Sequence, residues 1–341
     1  MRGRAWVVVL NWNGKDYIRA CLTSAFAQTY ADFVVAVVDN ASTDGSREIV
    51  RDEFPEARLI ALPQNLHFAR GTNAGIEVAL RDSECEFVVP LNNDTRADPE
   101  WIASLVRALD GDAVGSVAAK LLLMDHPDVL NSAGLWITRD GAAVDRGWLQ
   151  KDEGQFDRDS DVFGPSGGAA LYRRKALQTV GLFDPDFVAY LEDVDLAWRL
   201  RLSGFDGRFA PRAIVYHKHS ASSSSNSPWK TYISERNRIW NLVQNYPWRH
   251  VVLAPPWNGA RNLAALRRRA LPNRYPIAFG QSLTFREVVH AHLRGRHEAY
   301  AGLGRALEKR RLRQRYRRAS AADVGRWLRR YGIGIRDVPV H

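Results

Sequence analysis

Glu86-Phe-Val-Val-Pro-Leu91 runs directly into Asn92-Asn-Asp94. A short, mostly apolar run rich in β-branched and aromatic residues reads as a buried strand, and the triplet behind it ends in one carboxylate. In open α/β sheets, ligands gather outside the carboxyl ends of the strands, where Asp94 then stands. A carboxylate there is also a hard oxygen ligand for Mg²⁺ or Mn²⁺ carrying a phosphate.

The residues before it alternate between two periodicities. Ala5–Leu10, Phe33–Val38 and Arg58–Leu62 read as strands; Lys15–Gln28, Arg47–Glu53 and Ala69–Leu80 carry helical spacing. After Asp94, Asp98-Pro-Glu100 opens another helix, with Asp98 as N-cap and Pro99 at the first helical position. Buried strands alternating with helices predict an α/β fold around a mostly parallel, doubly wound sheet. From Val114 to Phe163 the pattern loosens into short strands. Order returns at Gly164–Tyr172, in a helix over Glu192–Leu202 stopped by Gly204, and in two short strands around Pro211. Ser220–Ser227 reads as a flexible connection. These signals divide the chain into a domain over 1–225 and a helical, basic region over 226–341.

Composition narrows the function. The 341 residues are 45% hydrophobic and 25% charged, an ordinary globular balance, and the net charge of +10 points to anionic partners. Cys21 and Cys85 make neither a disulfide framework nor a zinc site. No apolar stretch approaches the length of a membrane-spanning helix, and the first apolar run is too short for a signal peptide. A cytoplasmic protein is expected, peripheral on the inner face of the cell membrane if a membrane is involved. The basic tail, with Lys309, Arg310, Arg311, Arg313, Arg315, Arg317 and Arg318 in one stretch, fits either a solvated helical appendage with an oligomer contact or docking to an anionic bilayer. Trp229, Trp240, Trp248 and Trp257 suit an interface.

The turn after the first strand, Asn11-Trp-Asn-Gly-Lys15, carries neither a Gly-x-Gly-x-x-Gly nor a Walker lysine loop. Polar residues end the strands instead: Asn11 and Asn13; Asp39, Asn40 and Ser42; Asn92, Asn93 and Asp94. In a parallel sheet these ends converge. Asp39-Asn-Ala-Ser-Thr-Asp-Gly45 also fits a simple turn and N-cap, though less well once Asn92–Asp94 is considered with it. Glu192, Asp193 and Asp195 crowd one helix start, where the macrodipole favours acids. They follow the aromatic segment Phe183–Tyr190, which should bury part of the cluster and turn a carboxylate there into a candidate general base. His217 and His219 follow a strand, and either is a competent metal ligand beside Asp94.

In this order the residues resemble the family 2 glycosyltransferases with a GT-A fold, nearest the rhamnosyltransferase-like branch. The resemblance is carried by Val8–Gly14, Val38–Ser46, Asn65–Gly75, Leu91–Asp94, Gly167–Arg173, Gly181–Asp184, Glu192–Arg199 and Val215–His217, and beyond them by Glu235–Trp240 and Asn245–Pro247. It implies transfer of a sugar from a nucleotide-diphosphate sugar, with dTDP-rhamnose the first expectation, to a glycan or lipid-linked acceptor. Asn92–Asp94 takes the part of the family's Asp-x-Asp, although only Asp94 is charged. Asp94 and His217 would hold Mg²⁺ or Mn²⁺. Asp39 would read base or ribose, and Arg70 and Asn73 join the donor-binding set. Asp193, beside Glu192, would be the general base. Gly167 and Gly168 would let backbone approach the sugar closely. Two other classes compete: a metal-dependent nucleotidyltransferase, weakened by the missing phosphate loop, and a nucleic-acid binder using the arginine-rich tail, for which there is no recognition motif.

Overall fold

A computed structural model describes residues 3–218, 227–269, 283–335 and 337. His219 and the serine stretch 220–226 lie outside the described residues. In chain order the strands are β1 (Arg4–Asn11), β2 (Phe33–Asp39), β3 (Arg58–Ala61), β4 (Cys85–Asn92), β5 (Thr95–Ala97), β6 (Val114–Leu123), β7 (His126–Ser132), β8 (Leu135–Ile137), β9 (Ala143–Asp145), β10 (Asp161–Val162), β11 (Ala170–Arg173) and β12 (Asp206–His217). The helices are α1 (Ile18–Phe26), α2 (Ser46–Glu53), α3 (His67–Arg81), α4 (Trp101–Arg107), α5 (Arg174–Val180), α6 (Glu192–Leu202), α7 (Pro228–Asn245), α8 (Trp248–Arg269), α9 (Phe285–Ala301), α10 (Leu303–Arg313) and α11 (Ala321–Arg330).

The main sheet runs β10-β12-β6-β11-β4-β1-β2-β3. Its β4-β1-β2-β3 half is wholly parallel. The valine-rich strands are buried on both faces: Ala5, Val7 and Val9 of β1 join one apolar cluster with α1 and α4, whereas Trp6 and Val8 join a second with α3, α5 and α6. Strands covered on both sides need apolar residues at every position, which is why these runs lack the alternation of a half-exposed strand. Fully burying one such side chain stabilises by about 1.5–3 kcal/mol. The other half is mixed. β11 inserts antiparallel between β4 and β6, and β12 runs parallel to β6.

Two sequence expectations change here. β6 is ten residues long and buried throughout, so the stretch 114–163 is short-stranded only in β8, β9 and β10. The two strands expected around Pro211 are one strand, β12, whose pairing with β6 slips between Ala210 and Ile214. Proline has no N–H for the ladder, so it sits at the bulge without ending the strand. Asp98 also does not cap its helix. α4 starts at Trp101, and the Asp98 carboxylate accepts from the Glu100 N–H (3.0 Å) in the turn before it.

α6 ends as expected. Gly204 (φ +93°) takes the left-handed position, its N–H bonds to Arg201 O, and the Phe205 N–H bonds to Leu200 O. The outer side of α6, through Val194, Ala197 and Trp198, packs on Leu242 of α7, on Tyr246 just after it, and on Val324 and Leu328 of α11. This helix is therefore sandwiched between the sheet and the C-terminal helices. No helix among the described residues is long and apolar enough to cross a membrane.

Candidate active site

The ends of β1, β2 and β4 meet as the parallel register requires. Asn93 Nδ2 donates to Asn11 Oδ1 (2.9 Å), and Asn11 Nδ2 donates to Ser46 Oγ (2.9 Å) and Ser42 Oγ (3.2 Å). Asp39 is fully buried and paired with Arg47, whose Nε and Nη2 both lie 2.7 Å from Oδ2. Asn13 and Asn40 brace the adjoining turns: the Thr43 N–H donates to Asn13 Oδ1 (2.9 Å), and the Leu66 N–H to Asn40 Oδ1 (2.8 Å). Both the turn role and the convergence expected of these residues are present.

A second corner forms because β5 pairs antiparallel with the end of β12, setting Thr95 opposite His217. Asp94 Oδ1 then lies 3.2 Å from His217 Nε2, and Asn92 Nδ2 lies 3.4 Å from the same nitrogen. Burial alone would lower the His217 pKa, but the Asp94 carboxylate outweighs it and raises it. His217 Nδ1 lies 2.6 Å from Asn131 Oδ1. An amide oxygen only accepts, so that contact puts the neutral ring's proton on Nδ1 and leaves the Nε2 lone pair facing Asp94. No group of three His, Cys, Asp or Glu converges among the described residues. One carboxylate and one imidazole still fit Mg²⁺ or Mn²⁺, since such ions are commonly held by one or two protein ligands and completed by substrate phosphates.

The third part is the start of α6. Asp193 is half-buried; its Oδ2 accepts from the Gly167 N–H (2.7 Å) and its Oδ1 from the Val194 N–H (2.7 Å). Burial raises its carboxyl to about 6, against the lowering effect of the Gly167 N–H, and nearby Asp145 adds to the rise. Glu192 is buried with Oε2 lacking a hydrogen-bond partner, and burial together with the Asp193 charge pushes its carboxyl well up. Asp195 behaves oppositely. Burial would raise it, but the Arg313 and Arg199 guanidiniums hold it at about 2. Three neighbouring acids thus have three different roles available, set by their surroundings.

The two glycines lie between these parts. A Cβ at Gly167 would sit 3.4 Å from Asp193 Oδ2, and one at Gly168 would sit 3.5 Å from Asn92 Nδ2 and 3.7 Å from His217 Cε1. The bare backbone keeps open the space between the Asp193 carboxylate and the Asp94–His217 corner. Outside glycine, left-handed backbone among the described residues occurs at Asn13 and Ala41 in the turns after β1 and β2, at Tyr190 and Leu191 before α6, and at His67, Leu149 and Val188. Such conformations gather where structure is held for function.

A family model described as Glycosyl transferase family 2 matches residues 6–181. The chain belongs to that family. Family 2 relatives include an N-acetylglucosaminyl-diphospho-decaprenol L-rhamnosyltransferase of Mycobacterium tuberculosis, 27% identical over 245 residues, which are 65% of this chain and 78% of that protein. A poly-beta-1,6-N-acetyl-D-glucosamine synthase of Staphylococcus epidermidis is 23% identical over 60% of this chain and 47% of the synthase. Among solved structures, GalNAc-T7 with UDP, GalNAc and Mn²⁺ gives a TM-score of 0.56 at 13% identity, covering 79% of this chain and 52% of that one. S. aureus TarS 1-349 in complex with UDP-GlcNAc gives 0.50 at 19% identity, covering 78% and 72%. The mixed sheet is the GT-A fold, and the protein is a glycosyltransferase that takes its sugar from a nucleotide-sugar.

Within this family 2 site, two residues of the Asn65–Gly75 motif stand apart from the corner. Asn73 Nδ2 donates to Phe183 O (2.7 Å) and its Oδ1 accepts from the Phe183 N–H (3.1 Å), so its amide clamps that turn to α3. Arg70 is exposed and lines a cavity of about 430 Å³ together with Asn65, Asp186, Arg236 and Glu298. Sequence reasoning missed four residues. Arg47 and Asn131 fix Asp39 and His217. Gly14 is forced, because a Cβ there would lie 2.2 Å from Asn93 Nδ2. Asp145, with one carboxylate oxygen buried and without a hydrogen-bond partner, bears on both Asp193 and His217. Gly14 was visible inside Asn-Trp-Asn-Gly; Asn131 and Asp145 lie in the loosened stretch, where no motif marks them.

Proposed function

We propose that this glycosyltransferase works by a single inverting displacement, and that its donor is dTDP-rhamnose, its acceptor a hydroxyl of a glycan or lipid-linked saccharide. The observation that carries the mechanism is the half-buried Asp193, raised to about 6, separated by a glycine pair from the Asp94–His217 corner. Asp193 takes the proton of the acceptor hydroxyl as that oxygen attacks the anomeric carbon. The bond from that carbon to the diphosphate oxygen breaks, and the nucleoside diphosphate leaves with the electron pair. Asp94 and His217 would hold a divalent metal, which when bound would neutralise charge on the diphosphate. Asp39, Asn11 and the bracing asparagines hold the nucleoside end. One base suffices, so no protein nucleophile is required.

The M. tuberculosis relative, an N-acetylglucosaminyl-diphospho-decaprenol L-rhamnosyltransferase, supports rhamnose and a lipid-diphosphate acceptor. The N-acetylglucosamine named for the S. epidermidis relative and for the TarS complex keeps UDP-GlcNAc in the comparison.

The test is a donor panel (dTDP-rhamnose, UDP-GlcNAc, GDP-mannose), read as thermal shift and nucleoside diphosphate release with Mn²⁺. A donor at about a hundred times its Kd adds about 2.7 kcal/mol of stability, so the true one stands out. With a single protein carboxylate at the corner, Mn²⁺ should bind at least about tenfold more tightly when a nucleoside diphosphate is present, and Asp94→Ala should abolish that gain. Pyrophosphate in place of nucleoside diphosphate as the product would overturn the reading.

A further inference from the structure

The C-terminal region carries charge and apolar surface that the transfer reaction does not use. Residues 226–341 hold 24 Lys and Arg against 6 Asp and Glu, a net +18, which leaves the first 225 residues at −8. Among the described residues, Arg286, Arg294, Arg311, Arg315 and Arg318 are exposed and make no ion pair. The same region also exposes apolar surface. On α8, every exposed position from Val252 to Leu263 is apolar or glycine, with Val252 72% and Leu263 51% exposed. On α9, Phe285, Val289 and Leu293 follow at four-residue intervals, with Tyr300 seven further on, all exposed. Residues at such intervals form one stripe along a helix. The small seam of Ala291, Gly295 and Ala299 packs α9 inward, and a Cβ at Gly295 would lie 2.6 Å from Tyr232 O. The stripe is therefore left outward, and the two helices meet where Arg296 Nη2 donates to Asn258 Oδ1 (2.8 Å).

We propose that the exposed apolar faces of α8 and α9, with Arg286 and Arg294 on α9, dock this protein onto an anionic bilayer surface. Contiguous apolar surface on a soluble domain marks an interaction site. A helix with an apolar face and arginines around it lies in the headgroup plane, held by apolar insertion and by attraction to anionic lipid together. A second copy is the other occupant, but a symmetric dimer would set the same +18 region against itself. The proposal deepens the lipid-linked acceptor reading, since a surface-bound enzyme meets an acceptor confined to the same surface.

The test is sedimentation of the full-length protein with vesicles of phosphatidylcholine, with and without phosphatidylglycerol, in the absence of donor and acceptor. Its failure would leave the transfer chemistry untouched. Binding should need phosphatidylglycerol, and the double variant Val252→Asp/Leu263→Asp should weaken it at least about tenfold. Both positions are exposed, so the variant's thermal unfolding should match the parent's; a second variant, Leu293→Asp, repeats the test on α9. Wild-type affinity in these variants would reduce the effect to bare charge and overturn the docking face. So would equal binding to both vesicles, or no binding together with a concentration-dependent dimer that the variants dissociate.

Discussion

Asp193→Asn should lower transfer by about 10²- to 10⁴-fold while the protein stays folded. The amide is nearly isosteric and its oxygen can still accept from the Gly167 N–H, which now meets the Asp193 carboxylate at 2.7 Å. The variant loses the ability to take a proton and, at its other atom, the acceptor for the Val194 N–H. The pH profile carries the same information. The base must be ionised and its carboxyl sits at about 6, so wild-type kcat/KM should rise through about pH 6 and then level off. The residual activity of Asp193→Asn should lack that limb. An unchanged limb in the variant would assign the base elsewhere, to Glu192 or Asp145.

Arg313→Met should destabilise the protein by about 3 kcal/mol or more. The guanidinium reaches from α10 into the buried contact between α6 and α7, with Nη1 2.5 Å from Asp195 Oδ1 and 2.6 Å from Asn245 Oδ1, and Nη2 3.2 Å from Asp184 Oδ2. Asp195 is fully buried, so removing Arg313 leaves its charge with Arg199 alone (Nε 2.8 Å from Oδ2), while Asp184 keeps Lys309. Breaking one side of a buried pair costs more than the pair itself contributes, because the remaining charge stays out of water. The linkage has a definite sign. Asp195 titrates near 2 when folded, below an ordinary aspartate, so its stabilisation is present above about pH 4 and fades as pH falls toward 2. The gap between wild type and Arg313→Met should narrow over that interval in denaturation measured by circular dichroism. A constant gap would mean that Arg313 acts through packing alone.

The parallel half of the fold was legible because its strands are covered on both faces and must be apolar throughout, as Ala5–Leu10 and Phe33–Val38 are. Strand-end polarity at Asn11, Asp39 and Asp94 was legible for a related reason: in a parallel sheet, the register alone brings those ends together. What sequence could not reveal depends on distant pairing. The insertion of β11 between β4 and β6 carries Gly168 to Asn92, where the Asn92 N–H donates to Gly168 O (3.0 Å). The run of β12 through Pro211 delivers His217 to Asp94 and also to Asn131, 86 residues earlier. Arg313 and Asp195 stand 118 residues apart. In each case local spacing says nothing, because the partner is chosen by the sheet order and by the docking of the C-terminal helices. The acids of α6 show the same limit: their run signalled a helix start and a site, but which one is poised as a base follows from Gly167 on one side and Arg313 on the other.

The most direct measurement of the central claim is the anomeric configuration of the transferred sugar, read by proton NMR over the first turnovers with the donor that the panel selects. One base at Asp193, facing a diphosphate held at the Asp94–His217 corner, predicts a product inverted relative to the nucleotide-sugar. A product that retains the donor's configuration would contradict it, since retention by double displacement needs a nucleophile that this mechanism does not contain.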